Sequence, residues 1–586
     1  MKTKAESQRG RCLKTFRTGS CWGIHHYEIY FISTFLILQQ MNLSSLFIIW
    51  IPIFLKVIHI MVSKRLLNLT LSLILAACTL GSQDANATEV ATLSGPVEGI
   101  SRQGIESWEG IPFAAAPTGA LRWQAPQPVK AWTQPLKATT PSSSCAQNTD
   151  LGVFATAGGS EDCLYLNVYR SSDAAAQPSK RPVFVWIYGG ALQVGQADHY
   201  NPTKLAKQGN SIVVTFNYRV GLFGFFANPA LNGKDKDYAN YGLMDQQAAL
   251  RWVKDNIAAF GGDPNNITIA GESAGGDSVM AHIISPASSG LFQHAISLSG
   301  STLVTRYPAF GASVPLNIAV KTGDEFAQSV GCQQADAACL RALSTEQILK
   351  AQTPYILKQF IVDGQLIPQH PADALAKGKL NKTTLINGTT RDEGTLFAAL
   401  PELATGKSMT EQSYPEVMKS MYGETLLPKV LKEYPVSEYN TPSEAFAAAA
   451  TDSLFSCPAQ EVNHLLTGKM PVYAYEFSDQ TASLYLNPLT FPLKAAHTSE
   501  LAYIFPGFHG GSDKEVKLNP LQEKLSDEMV GYFANVSAIS GKQALWPLFN
   551  TQKENYMTFA LPAGRMVSGR FARTHHCDFW KTSGIF

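Results

Sequence analysis

The run Phe260-Gly261-Gly262-Asp263-Pro264-Asn265-Asn266-Ile267-Thr268-Ile269-Ala270-Gly271-Glu272-Ser273-Ala274-Gly275-Gly276 constrains this chain more than any other stretch of it. Ile267 to Ala270 is a short, β-branched, apolar strand, and Val279, Met280 and Ile283 recur beyond Ala274 at helical spacing. Ser273 stands at the corner between them. A sharp strand-to-helix turn strains the backbone of the residue at its apex and tolerates only small neighbours, which Gly271, Gly275 and Gly276 supply. The hydroxyl is thereby pushed into the open at a helix N-terminus, where the dipole and the free N–H of Ala274 stabilise negative charge on a reacting oxygen. A glycine-rich turn with a capping serine is the bland alternative; the strand before and the helix after favour a nucleophile elbow.

The 586 residues are 45% hydrophobic, with 47 basic against 46 acidic side chains and a net charge of +1. A nucleic-acid partner would require a basic excess or stripe, and neither is present. The first sixty residues differ from the rest. Their two apolar stretches, Tyr30 to Leu38 and Leu43 to Leu55, are split by Gln39-Gln40-Met41-Asn42, so neither reaches the roughly 20 residues of a membrane span. Initiation at Met61 instead gives an export signal over 61–87: Lys64 and Arg65, an apolar core from Leu66 to Ala77, then small residues. Leu75-Ala76-Ala77-Cys78 resembles a bacterial lipobox, which would anchor the chain to a membrane through lipidated Cys78. Ala85-Asn86-Ala87 offers an ordinary cleavage site. Either route predicts an exported protein: periplasmic or an outer-membrane lipoprotein if bacterial, otherwise secreted. The folded domain is expected over 88–586.

Export makes the cysteines interpretable. Beyond Cys12, Cys21 and Cys78, six remain: Cys145, Cys163, Cys332, Cys339, Cys457 and Cys577. An even count in an exported chain reads as three disulfides, and the close spacings pair Cys145 with Cys163 and Cys332 with Cys339, leaving Cys457 for Cys577. No C-x-x-C pair or cysteine/histidine cluster supports a zinc site.

From about Thr88 the chain alternates strand and helix. Strands are expected at Val183 to Tyr188, Ile212 to Phe216, Ile267 to Ala270, Ala295 to Leu298, Thr384 to Ile386 and Val472 to Phe477. The clearest helix, Asp245 to Ala258, ends at a Gly261-Gly262 stop. This order implies an α/β fold with a mostly parallel central sheet flanked by helices. The intervals Ser301 to Lys358 and Thr405 to Ala450 read as helical and loop-like insertions that shape a substrate pocket above the strand ends.

A serine is a weak nucleophile at neutral pH and needs a base, itself oriented by an acid. In the α/β-hydrolase order Ser, acid, His, each follows a strand. After Thr384-Leu385-Ile386 the loop carries Asp392 and Glu393, and composition does not choose between them. Five histidines lie downstream. His464 sits in a helical pattern; His575 and His576 abut Cys577; His497 follows the strong strand Val472 to Phe477 and is the best base, with His509 as runner-up. For the oxyanion, strand Val183 to Tyr188 ends in Gly189-Gly190-Ala191, whose N–H groups join that of Ala274.

These motifs together resemble the type-B carboxylesterase and lipase family, which includes the cholinesterases, from about Thr88 to Trp580. The serine run matches that family's signature, and Glu161-Asp162-Cys163-Leu164-Tyr165-Leu166-Asn167 looks like its second one. Gly110-Ile111-Pro112-Phe113-Ala114, Asn217-Tyr218-Arg219-Val220-Gly221 and Cys577-Asp578-Phe579-Trp580 also agree. The resemblance implies the α/β-hydrolase fold and a catalytic triad of Ser273, Glu393 and His497, with Glu500 as the trailing family residue. It implies an oxyanion hole of Gly190, Ala191 and Ala274 and supports the three disulfide pairings. Structural ion pairs Arg122 to Glu161 and Arg219 to Asp245 also follow. The implied activity is cleavage of small-molecule carboxylic esters through an acyl-enzyme, without cofactor or metal. A long-chain lipase is the alternative enzyme, and a noncatalytic binding module the alternative from another class. The segment between Cys145 and Cys163 has no tryptophan, so the aromatic platform cholinesterases offer to a quaternary ammonium is missing there. Leu192 stands where many relatives carry an aromatic residue.

Overall fold

The computed structural model describes residues 85–586 apart from 149–155, 174–179, 232–238, 308–311, 334–335, 487, 489, 513 and 543–544. Residues 1–60, Cys78 and nearly all of the expected export signal therefore lie outside the described residues. Strand β1 (Ala85–Thr92) begins within the last residues of that signal.

The 13-stranded sheet comprises, after β1, β2 (Gly95–Arg102), β3 (Ile105–Pro112), β4 (Leu136–Lys137), β5 (Tyr165–Ser171), β6 (Arg181–Ile187), β7 (Ile212–Phe216), β8 (Gly262–Glu272), β9 (His294–Leu298), β10 (Thr384–Thr390), β11 (Val472–Phe477), β12 (Asn555–Phe559) and β13 (Arg565–Ser568). Its order is β1-β2-β3-β5-β7-β6-β8-β9-β10-β11-β12-β13, with β4 pairing β2. From β7 to β12 every neighbouring pair is parallel; the flanking ladders are antiparallel, apart from the β2–β4 pair. The parallel strands read as continuous apolar runs because layers cover both faces: all five residues of β7 are buried, as are Val183 to Ile187 of β6.

All six expected strands are present and run in register at the centre of the sheet. Differences lie at its edges. Strands β1 to β5 precede the first expected strand, and β12 and β13 extend the sheet beyond Val472–Phe477. Those edge strands carry polar residues at intervals, as in Asn555-Tyr556-Met557-Thr558-Phe559, so they lack the uninterrupted apolar run that marks a central strand. The helix expected from Asp245 spans Tyr241–Asn256, followed by a tight turn, Ile257–Phe260, that Gly261 closes in the left-handed conformation at φ 88°.

The two insertions are mainly helical, as expected. Leu316–Ser329, Ala337–Ala342 and Thr345–Ala351 lie in the first; Tyr414–Glu433, kinked at Gly423, and Pro442–Ala450 lie in the second. Beyond Ala450 a π-helical turn, Thr451–Ser456, leads into Cys457–Leu466. The three disulfides pair as expected, with Cα–Cα distances of 5.0 Å for Cys145–Cys163, 5.6 Å for Cys332–Cys339 and 5.2 Å for Cys457–Cys577. Both expected ion pairs form. Arg122 donates to both carboxylate oxygens of Glu161 at 2.7 and 2.6 Å and also to the Leu343 carbonyl at 2.6 Å, which ties the first insertion to the start of the fold. Arg219 does the same to buried Asp245 at 2.7 and 2.8 Å.

Candidate active site

Strand β8 delivers Ser273 and the helix Ala274–Ile284 carries the chain away from it. Ser273 itself has φ 57° and ψ −125°, a conformation that costs a non-glycine residue about 1–3 kcal/mol and persists only where the surroundings over-determine it. They do so here. A Cβ on Gly275 would lie 2.0 Å from the Ile187 carbonyl oxygen, so helix and strand β6 approach each other to backbone contact. On the other side, a Cβ on Gly189 would sit 2.9 Å from Ser273 Cβ and 2.5 Å from the Glu272 carbonyl. The loop after β6 therefore lies directly against the serine. The Ser273 N–H donates to the Leu298 carbonyl at 2.9 Å, which locks the elbow to β9.

The loop after β6 is itself unusual. Gly190, Ala191 and Leu192 have φ of 105°, 55° and 58°, three consecutive positive values of which two belong to non-glycine residues. Its turn is closed by Gln193 and Val194, whose N–H groups donate to the Gly190 carbonyl at 3.0 and 3.2 Å. Ala274, the first residue of the serine helix, is among the N-terminal residues whose N–H groups have no intrahelical acceptor.

Glu393, not Asp392, meets His497. Nδ1–H of His497 donates to Glu393 Oε2 at 2.5 Å. The other oxygen of that carboxylate accepts from Ser299 Oγ at 2.5 Å and from the Thr390 N–H at 2.8 Å, and the His497 N–H reaches the Glu393 carbonyl at 3.4 Å. Asp392 turns away to Gln480 Nε2 at 3.1 Å and the Ala495 N–H at 3.2 Å. The imidazole is 3% exposed, between the rings of Phe455 and Phe397 at centroid distances of 4.8 and 5.3 Å. Its remaining nitrogen, Nε2, faces the elbow and lies 3.1 Å from Oε1 of Glu272, the residue before Ser273. That oxygen has no hydrogen-bond partner, so the approach is an electrostatic contact rather than a hydrogen bond.

Three buried carboxylates thus surround one imidazole. Burial pulls His497 down, but Glu272, Glu393 and Glu500 outweigh it and hold the ring above its ordinary value, at about 9. Glu272 is pushed up to about 7 by burial, with His497 opposing and Glu393 reinforcing. Burial also raises Glu500, helped by the charges of Glu272 and Glu393.

The other histidines are engaged elsewhere. His509 packs against His199 at a centroid distance of 5.1 Å. His464, on Cys457–Leu466, faces Glu554 at 3.2 Å. His575 is buried between Asp452 at 2.7 Å and Glu476 at 2.8 Å, and His576 faces Glu433 at 2.6 Å. In the sequence Glu272 belongs only to a signature, and Ser299, Phe397 and Phe455 lie outside the motifs. Ser299 follows strand β9 directly, the place where an α/β fold puts functional side chains, and that was the available signal.

The chain as a whole has known counterparts. The sequence model of the Carboxylesterase family matches residues 86–580. The chain belongs to that family. It is 34% identical over 506 residues to the human cocaine esterase, spanning 82% of this chain and 87% of the human protein. It is 37% identical over 437 residues to the para-nitrobenzyl esterase of Bacillus subtilis strain 168, spanning 72% of this chain and 83% of that protein. Among solved structures a thermophilic para-nitrobenzyl esterase superposes with a TM-score of 0.70 at 30% identity, covering 84% of this chain and 99% of that one. The fold is that of the α/β-hydrolases, and this carboxylesterase is a hydrolase of carboxylic esters. Among the described residues no group of histidine, cysteine and acidic side chains is arranged to hold a metal ion.

Proposed function

We propose that Ser273, His497 and Glu393 act as one triad. The observation that carries this reading is the orientation of His497: Nδ1 bound to Glu393 at 2.5 Å and Nε2 turned to the elbow. With the proton held on Nδ1, Nε2 is the basic nitrogen. It takes the Ser273 proton as Oγ attacks the ester carbonyl and returns it to the leaving alcohol; Glu393 stabilises the imidazolium between those events. The N–H groups of Gly190, Ala191 and Ala274 receive the oxyanion, a contribution whose loss at one donor typically costs about 100- to 1000-fold in rate. Water then releases the acid from the serine.

The substrates on this reading are small-molecule esters. Relatives named for cocaine, for para-nitrobenzyl esters and for acylcarnitines support breadth in the alcohol rather than a single ester. Three disulfides fit an exported protein, and no described helix is long and apolar enough to cross a membrane. Export through the 61–87 signal, with Cys78 as a lipid attachment point, completes the proposal; the mass of the mature N-terminus distinguishes lipidated Cys78 from cleavage after Ala87.

Paired carboxylate variants test the triad. Glu393→Gln is expected to lower kcat by about 10³- to 10⁴-fold while Asp392→Asn changes it less than about tenfold. The reverse order would show that the wrong carboxylate orients the histidine. A series of p-nitrophenyl esters of increasing acyl length, run on the wild type, separates a short-chain esterase from a lipase.

A further inference from the structure

The exit of the oxyanion loop is gripped by a buried side chain from outside the catalytic elements. Gln147 is 1% exposed; its Nε2 donates to the Gly195 carbonyl at 3.1 Å and its Oε1 accepts the Gly195 N–H at 2.7 Å. An amide gripping both backbone groups of one residue reproduces the pairing of a β-bridge. Gly195 ends the turn that begins at Gly190, and it lies so close to the strand end that a Cβ there would meet Tyr188 Cδ2 at 2.3 Å. Fixing Gly195 therefore fixes the exit of the loop against its entry.

Gln147 is in turn immobilised. Its backbone N–H and carbonyl both pair with Gly158, at 3.0 and 3.1 Å, and Ala146 pairs with Ser160 at 3.0 Å. The disulfide Cys145–Cys163 closes this small ladder. Two further bonds hold the loop: the Gly221 N–H to the Leu192 carbonyl at 2.7 Å, and the Ala197 N–H to Asn217 Oδ1 at 2.9 Å. The positive φ angles of Ala191 and Leu192 need such support, since each is a sparsely populated conformation for a residue with a side chain.

We propose that Gln147 is a positioning residue for the oxyanion hole, linking the disulfide-closed segment to the direction of the Gly190 and Ala191 N–H groups. The inference rests on the proposed role of those two groups. Without the amide, Gly195 leaves a buried donor and acceptor unpaired, and the loop relaxes toward ordinary dihedrals. The misdirected N–H groups then fail the tetrahedral oxyanion more than they fail the planar ester, so the loss falls on kcat rather than KM.

The test uses Gln147→Met, of similar length without the hydrogen bonds, and Gln147→Glu, which still accepts the Gly195 N–H but cannot donate to its carbonyl. Each is assayed for kcat and KM on p-nitrophenyl butyrate and for affinity toward a trifluoromethyl ketone, which adds reversibly to the serine. For Gln147→Met the expected result is a kcat lowered by about 10- to 100-fold, a KM within about threefold, and a ketone affinity reduced in parallel with kcat/KM. Gln147→Glu should fall between it and the wild type, and carries the same comparison if the methionine variant does not fold. Ketone affinity and kcat within about threefold of wild type in both variants would overturn the proposal, as would a loss confined to KM. Ser273→Ala, run alongside, separates the two levels: if it binds the ketone as tightly as the wild type, the underlying triad fails, and if it alone loses binding, only the role of Gln147 fails.

Discussion

Adjacent carboxylates at 392 and 393 show how a residue-level choice is made by backbone direction rather than by chemistry. Both are acids in one loop, so nothing in their side chains separates them; the turn after β10 aims Glu393 at His497 and Asp392 at Gln480. Family resemblance implies Glu393 where composition leaves both open, and it is Glu393 that lies beside His497. Glu272 is the reverse case, visible in the serine run but without an evident task until the fold brings it to 3.1 Å from His497 Nε2. Its negative charge stabilises the imidazolium, and a protonated ring is no base. Glu272→Gln removes that charge, so the His497 pKa falls and the neutral form persists to lower pH. The acidic limb of the kcat/KM profile is expected to move down by about one unit. A limb that stays in place or moves up, in a pH–rate measurement between about pH 5 and 10.5, would show that Glu272 does not act on His497.

At the scale of elements, the strand-turn-helix around Ser273 was legible because its demands are local: a β-branched strand, glycines at the bend and helical spacing after it. The central parallel strands were legible for a related reason, since burial on both faces leaves an uninterrupted apolar run. Strands β12 and β13 were not: β12 is buried throughout but its polar Asn555 and Thr558 interrupt the apolar run, and β13 leaves every residue at least partly open to solvent. The grip of Gln147 on Gly195 was equally invisible, being a contact between residues 48 apart in sequence. One element-level consequence follows at Gly275. Its missing side chain lets the serine helix touch β6, and a Cβ would meet a backbone oxygen of the central sheet that cannot step aside. Gly275→Ala is expected to cost at least about 2–3 kcal/mol and most of the activity together. Thermal unfolding measured beside turnover checks this, and an unchanged Tm would refute the close packing described for the elbow.

On the scale of the whole molecule, the C-terminal segment is fastened by Cys457–Cys577 and by His575, both acting across more than a hundred residues of chain. Burial pulls His575 down, but Asp452 and Glu476 hold it up at about 10. For Glu476 burial pushes upward, and the hydrogen bond and charge of His575 more than reverse it, so that carboxyl is lowered. Because the histidine is raised above its unfolded value of about 6.5, its contribution is complete below that pH and is lost as pH climbs toward 10. The lowered carboxyl gives the opposite limb: its contribution is present above about 4.5 and lost below. This cluster therefore supports the fold most between about pH 4.5 and 6.5. His575→Gln is expected to cost about 3–5 kcal/mol there and to flatten the decline of Tm between pH 6.5 and 10; an unchanged decline would show that the cluster is not its source. The assembled molecule has one purpose on this account, to present Ser273 as an acylable oxygen. Rapid quenching of the wild type with p-nitrophenyl butyrate, followed by mass analysis of the peptide that carries Ser273, tests it most directly. One butyryl group on that peptide, with a stoichiometric burst of p-nitrophenol and at least about a 10⁴-fold loss of turnover in Ser273→Ala, is the predicted result. An unmodified peptide, or a Ser273→Ala enzyme that still turns over at near wild-type rate, would contradict it.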